Sequence, residues 1–201
     1  NAVEPLSPEI QAINPEKSTK DKVVTFLGRI TMQKGPEYFV EAAAKVLEKA
    51  HHIRFVMAGS GDMMEKMIYL AAKKGISDRF HFTGFLKGKQ VYEMFKRSDV
   101  YVMPSVSEPF GISPLEAMQC GIPTIISKQS GCAEILSKAT KIDYWDVEAM
   151  ADAIYSICTY DAMAEFLSRE GKEEVDNIKW EYAGQKVRDI YDNLLKQYNL
   201  L

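Results

Sequence analysis

Two carboxylates, Glu108 and Glu116, lie eight positions apart in the stretch SVSEPFGISPLEAMQCG at 105–121. An aromatic residue, a glycine and two prolines separate them. Each carboxylate oxygen accepts two hydrogen bonds, so acids carried on a loop suit hydroxyl-rich ligands. The pair has other uses. It could be an acid/base couple, and Glu116 could be a structural cap. Ser113, Pro114 and Glu116 have the spacing of a capping box, with Ser113 as N-cap and Glu116 reaching back to a backbone amide. Polyol binding and capping both stay open on the local residues. Two acids without a third ligand or a nearby histidine make a weak metal site, so no metal is expected. A basic pair stands in GRITMQKG (28–35), where Arg29 and Lys34 follow Gly28 and precede a helix beginning at Pro36. Two cations beside a helix N-terminus bind anions well, because the dipole and the free N–H groups add to the charge. The alternative is a solvated basic loop. GSGD (59–62), with Gly59 and Gly61, is either a tight strand-to-helix turn or a phosphate loop.

These residues need elements to position them, and the hydrophobic pattern supplies a regular alternation. Residues 1–22 are rich in Pro, Glu, Lys and Ser and read as an extended lead-in. Strands are predicted at 23–28, 53–59, 79–85, 99–105 and 122–127, with a weaker sixth at 140–143. Helices are predicted at 36–49, 62–74, 90–97 and 113–120, then near 146–160, 161–176 and 181–197. Strand–helix alternation implies parallel βαβ units in an α/β, Rossmann-like sheet of about six strands with helices on both faces. Ligands bind such sheets at the carboxyl ends of the strands, beside the topological switch point. Glu108 and Glu116, Arg29 and Lys34, and the GSGD turn all follow strands.

Composition narrows the function classes. The 201 residues are 46% hydrophobic and 26% charged, an ordinary globular balance that one generous domain can use to bury a full core. A formal net charge of -3 leaves no electrostatic footprint for nucleic acid or anionic membrane. No apolar run approaches the roughly 18 residues of a membrane span, and no signal-peptide pattern opens the chain. Cys120, Cys132 and Cys158 are far apart and form no CxxC, as expected of reduced thiols in a cytoplasmic protein. The first residue is Asn1 rather than methionine, which suggests a piece of something longer. His51 and His52 form a helix-end pair and His81 lies in a strand; all three read as surface or packing residues.

Taken together, the motifs resemble the C-terminal half of the retaining, nucleotide-sugar-dependent glycosyltransferases of the glycogen synthase and sucrose synthase type, glycosyltransferase family 4 and its group 1 relatives. GRITMQKG is similar to the family's phosphate-binding segment, and FVMAGSGD to the strand and turn beneath the nucleotide. FTGFLKGKQVYEMFKRSDVYVMPS resembles the base-binding wall, and EPFGISPLE the E-x7-E motif. The closing NIKWEYAGQKVRDIYDNLL resembles the family's final helix. The likeness covers roughly positions 20–197.

The resemblance implies the C-terminal half of a GT-B fold, with a donor-binding domain at 23–197 and the acceptor-binding N-terminal domain absent. It implies transfer of a hexosyl unit from a UDP-, ADP- or GDP-sugar to an acceptor hydroxyl, with retention and without a cofactor. Arg29 and Lys34 would hold the diphosphate and stabilise it as it leaves, aided by the helix start at Ser113. Glu108 would contact the donor sugar and Glu116 the ribose. The backbone of Phe110, Gly111 and Ile112 would meet sugar hydroxyls, that of Leu115 the phosphates, and Phe85 would line the base site with Gly28, Gly59 and Gly61 beneath. The partners implied are the donor and the missing N-terminal domain, without which the chain is expected to be inactive. One departure stands out. The family's Gly-Gly-x-x-Glu turn is SGCAE (130–134) here, with Cys132 for the second glycine and Glu134 in the acidic position. Other readings are a UDP-sugar 2-epimerase or glycan phosphorylase-like domain, or a non-catalytic nucleotide-sugar-binding module.

Overall fold

The computed structural model describes residues 3–15 and 20–197. Six strands make one sheet: β1 (Lys22–Leu27), β2 (Ile53–Ala58), β3 (Phe80–Gly84), β4 (Val100–Met103), β5 (Thr124–Ser127) and β6 (Thr140–Ile142). Every pairing is parallel, and the order is β3-β2-β1-β4-β5-β6. The chain therefore winds outward from β1 in one direction and from β4 in the other. Between those two strands lies the switch point, where neighbouring loops diverge to opposite faces and leave a crevice.

Helices cover both faces. On one, α2 (Pro36–Lys49), α3 (Met64–Lys73) and α6 (Val147–Thr159) bury Phe39, Val40, Met67 and Ile154 against Val24, Phe26, Phe55 and Val102. On the other, α4 (Lys89–Arg97), α5 (Ser113–Gln119) and α7 (Asp161–Asp176) bury Phe95, Leu115, Met118 and Val175 with Tyr101, Met103 and Ile126. The period-two geometry of β4 divides its side chains between the layers, Val100 and Val102 to one and Tyr101 and Met103 to the other. A central parallel strand has no wet face, and every residue of β4 and β5 is buried. Phe39 packs its ring 5.7 Å from both Phe26 and Phe55. Phe39→Ala would cost about 3–5 kcal/mol, the usual penalty for emptying such a site.

Local chemistry sets the element ends. Proline suits a first helical turn, where its missing N–H would be unbonded anyway, and α2 begins at Pro36. Asp146 caps α6 by accepting from the Ala149 amide at 3.0 Å. The strand predicted to 105 ends at Met103, since Pro104 has no amide for the ladder. The lead-in differs from the extended form expected. Pro8–Gln11 make a helical turn, α1, with the Ser7 hydroxyl accepting from Ile10 N at 3.4 Å, and β1 already includes Lys22. A Ser-Pro pair is a helix-start signal, so that turn was available in the sequence. The last helix, α8, spans Trp180–Gln197. Among the described residues, no helix is long and apolar enough to cross a membrane.

Candidate functional site

The loops leaving β1, β2, β4 and β5 are bonded together into one floor. Gly28 N donates to Ala58 O at 3.0 Å, Ile30 N to Ser60 O at 2.9 Å, and Met63 N to Ile30 O at 3.0 Å. A Cβ on Gly59 would stand 1.8 Å from Gly28 O, and one on Gly61 would stand 2.2 Å from Ile30 O. Both glycines are thus required by the backbone of the β1 loop, whatever else they contact. Across the switch point, Val106 N donates to Gln33 O at 2.9 Å. Farther on, Gly131 N donates to Glu108 O at 2.9 Å and Cys132 N to Phe110 O at 2.8 Å. This short bridge holds the SGCAE turn in place. Cys132 is fully buried in the α4/α5 core, where burial pushes its thiol up, and its Sγ lies 3.5 Å from Ser130 Oγ. A side chain in place of the second glycine is accommodated by pointing inward, and Glu134 stays exposed.

On this floor the β1 and β4 loops bring opposite charges together. Lys34 Nζ donates to Glu108 Oε2, with side chains 21% and 12% exposed. At that depth an ion pair is screened less than on the surface, and breaking it from one side leaves a costly unpaired charge. Arg29, exposed on the same loop as Lys34, has its guanidinium 3.4 Å from the Gln33 amide oxygen. Gly111 closes the β4 loop at φ +92, with Met103 and Glu108 atoms 3.0 and 3.1 Å from where a Cβ would be. That backbone region is open to glycine and strained for other residues. The N–H groups of Phe110, Gly111 and Ile112 bond to no other backbone group among the described residues.

The start of α5 departs from the capping box. Ile112 occupies the N-cap position and no side chain caps the helix. Ser113 is helical, and its hydroxyl pairs instead with Tyr101 Oη at 2.8 Å. Buried Tyr101, its hydroxyl pushed well up by burial, also reaches Leu27 O at 3.3 Å. That polar contact, unreadable from local sequence, draws Ser113 away from its own backbone. Glu116 is accordingly free of the cap role and faces Tyr92 of α4. Burial pushes the Glu116 carboxyl up, and a hydrogen bond from the Tyr92 hydroxyl pulls it partly back. Leu115 is fully buried, so only its backbone can meet a ligand.

Phe85 follows β3 and is 65% exposed, with the Lys87 ammonium 5.6 Å from its ring centroid. His51, His52 and His81 are all exposed. Among the described residues, no three His, Cys, Asp or Glu side chains gather at metal-binding distance. A separate cavity of about 630 Å³ lies on the β1–β3 face, where Asp21 accepts from Arg54 at 2.7 Å and Arg79 at 3.3 Å. Gln33 and Tyr92 were missed by sequence reasoning. Gln33 holds Val106 through its backbone carbonyl, which any residue would supply, while its side chain accepts from Arg29; Tyr92 reads as an ordinary residue of an amphipathic helix.

Residues 8–174 match the family described as glycosyl transferases group 1. The chain belongs to that family. An uncharacterized glycosyltransferase of Methanocaldococcus jannaschii is 32% identical over 176 residues, 85% of this chain and 45% of that protein. The chain spans less than half the length of this and other curated relatives it matches. Among solved structures, the C-terminal domain of a glycosyl transferase group 1 protein, LpcC, from Francisella tularensis superposes with a TM-score of 0.72. It is 22% identical, over 77% of this chain and 84% of that one. HepE of Anabaena, solved in complex with UDP-glucose, superposes with a TM-score of 0.76 at 17% identity, over 87% of this chain and 49% of that one. The group 1 chain thus has the α/β, Rossmann-like architecture expected of the C-terminal half of a GT-B fold.

Proposed function

We propose that residues 23–197 are the donor-binding domain of a retaining hexosyltransferase, with a nucleotide diphosphate sugar held in the crevice between the β1 and β4 loops. The carrying observation is the meeting of Lys34 and Glu108 across the switch point, with Arg29 on the same loop as Lys34 and Glu116 one helical turn into α5. A phosphate-binding cation and a hydroxyl-binding acid are thereby in contact, as they must be if one ligand carries a diphosphate next to a sugar. Family membership supports a glycosyl-transferring enzyme as the whole protein, and HepE with its UDP-glucose supports a nucleotide-sugar as donor. The acceptor site belongs to an N-terminal domain outside this chain, so the chain alone is inactive in this reading.

In the reaction, the bond from the anomeric carbon to the diphosphate oxygen breaks, the acceptor hydroxyl oxygen bonds to that carbon, its proton passes to the departing diphosphate or to solvent, and negative charge develops on the diphosphate as it leaves. Arg29 and Lys34 stabilise that charge through preorganised positive groups, commonly the largest contribution in catalysis. Glu108 accepts from a sugar hydroxyl and fixes the ring. The N–H groups of Phe110, Gly111 and Ile112 face the sugar, Leu115 offers backbone to the phosphates, Glu116 accepts from the ribose, and Phe85 lines the base. Titration calorimetry of the chain with UDP, ADP and GDP, each with and without EDTA, tests the reading. One of the three binds, equally well with EDTA, and Arg29→Ala weakens it; no binding by any of them would overturn the proposal.

A further inference from the structure

The chain's N-terminal segment crosses the outer side of α5 and α4. Gln119 of α5, itself buried, donates its amide to Glu4 O at 3.0 Å. Lys96 of α4 donates its ammonium to two carbonyls, Gln11 O and Ile13 O, both at 2.7 Å. A charged donor shared between two carbonyls is a strong fastening, since each bond is charge-assisted. The segment is thus fixed at both ends. Beneath it a cavity of about 450 Å³ is lined by Leu6 and Ile10 from the segment and by Tyr92, Ile112 and Glu116 from the domain. Tyr92 lies one turn before Lys96 on α4, and Glu116 lies three residues before Gln119 on α5. The helix faces that grip the segment are therefore the faces that line the cavity.

Glu116 has an unusual position inside it. Burial pushes its carboxyl up, and Tyr92 lines the same cavity from the facing helix. An ionised carboxyl accepts about four hydrogen bonds, which suits it to hydroxyls entering the cavity. The other walls mix apolar and aromatic side chains with the polar residues Glu4, Ser7 and Gln119, a lining that can meet both the ring and the hydroxyls of a ribose.

We propose that the Val3–Ile13 segment and Tyr92 are part of the donor site, forming the outer wall over the nucleoside half of the ligand. Tyr92 is a positioning residue, which aims the Glu116 carboxylate at the ribose hydroxyls, and the segment closes the cavity over them. The inference rests on the donor reading above and assigns that site a wall supplied from outside the β-strand loops.

Binding and segment docking must then be coupled, and the coupling is reciprocal. The test uses whichever of UDP, ADP and GDP binds the chain. Lys96→Met removes the two carbonyl contacts and keeps the aliphatic stem; Ile10→Ser removes apolar wall. Each should loosen the nucleoside diphosphate by about threefold or more, with the corresponding nucleoside loosened by a similar factor. Added diphosphate should slow amide exchange across Val3–Ile13 in the wild type and less so in the variants. Tyr92→Phe should weaken the nucleoside while leaving inorganic diphosphate binding unchanged. Unchanged or tighter binding by Lys96→Met and Ile10→Ser, or no slowing of exchange, would overturn the wall. If binding then still depended on Arg29, the donor reading would survive that failure; if the wild type bound none of the three nucleotides, both would fall.

Discussion

Lys34 is already neutralised in this structure by Glu108, so a diphosphate must compete with that carboxylate for the ammonium. Glu108→Gln removes the competing charge and keeps an amide of nearly the same size. The two side chains are 21% and 12% exposed, which places the pair between two regimes. Exposed pairs contribute about 0.2–1 kcal/mol and hydrogen bonds to charged groups about 1.5–3 kcal/mol, so about 1 kcal/mol is a fair value here. Freed of its partner, Lys34 should therefore bind nucleoside diphosphate about fivefold more tightly. The nucleotide-sugar should not share that gain, because it also loses the Glu108 contact to its sugar hydroxyl. The decisive quantity is the ratio of the two dissociation constants, measured by calorimetry in one buffer at low salt. Glu108→Gln should make the nucleotide-sugar weaker relative to the diphosphate. If the variant, folded by circular dichroism, bound both ligands more weakly by one factor, Lys34 and Glu108 would not be dividing the ligand between them.

Further outcomes follow from neighbouring residues. Arg29→Ala should cost about 1.5–3 kcal/mol in nucleoside diphosphate affinity and leave nucleoside affinity unchanged, because only the diphosphate loses a charge-assisted contact; calorimetry on both ligands checks this. Glu116→Gln should melt higher than the wild type at pH 7, with the gap closing toward about pH 4. The sign follows from burial raising the folded carboxyl above its unfolded value: that stability is full below the unfolded pKa and is lost as pH rises through the folded one. Thermal melts across that range would show it, and a gap that widened toward low pH would contradict it. Gly61→Ala sets a Cβ 2.2 Å from Ile30 O, so it should cost about 1–3 kcal/mol in a denaturant melt and weaken diphosphate binding by displacing the Arg29 loop.

Much of this was legible in the sequence, for reasons that differ by residue. The alternation of apolar runs with helical spacing is enough to imply six parallel strands, because a buried parallel strand must be apolar on both faces. The helix from Pro36 was readable because proline and spacing agree. Long-range polar contacts were not. Ser113 has every local mark of an N-cap, yet the Tyr101 hydroxyl, twelve positions away, takes its side chain. Without that contact on the page, Glu116 could only be read as half cap and half ligand. The GSGD glycines could be read only as a tight turn or a phosphate loop, since nothing local tells that the chain's own Gly28 and Ile30 backbone approaches them. Likewise, nothing local in Gln119 or Lys96 marks them as holding a segment that starts near residue 3, since carbonyl acceptors carry no side-chain signature.

A crystal structure of the chain with its tightest-binding nucleoside diphosphate would test the donor site most directly. The diphosphate should lie within hydrogen-bond reach of Arg29 and Lys34, with Lys34 drawn off Glu108, and the ribose hydroxyls should meet Glu116 beneath the Val3–Ile13 segment. A nucleotide found instead in the cavity beside Asp21, Arg54 and Arg79, with Lys34 still paired to Glu108, would contradict the assignment of the β1–β4 crevice as the donor site.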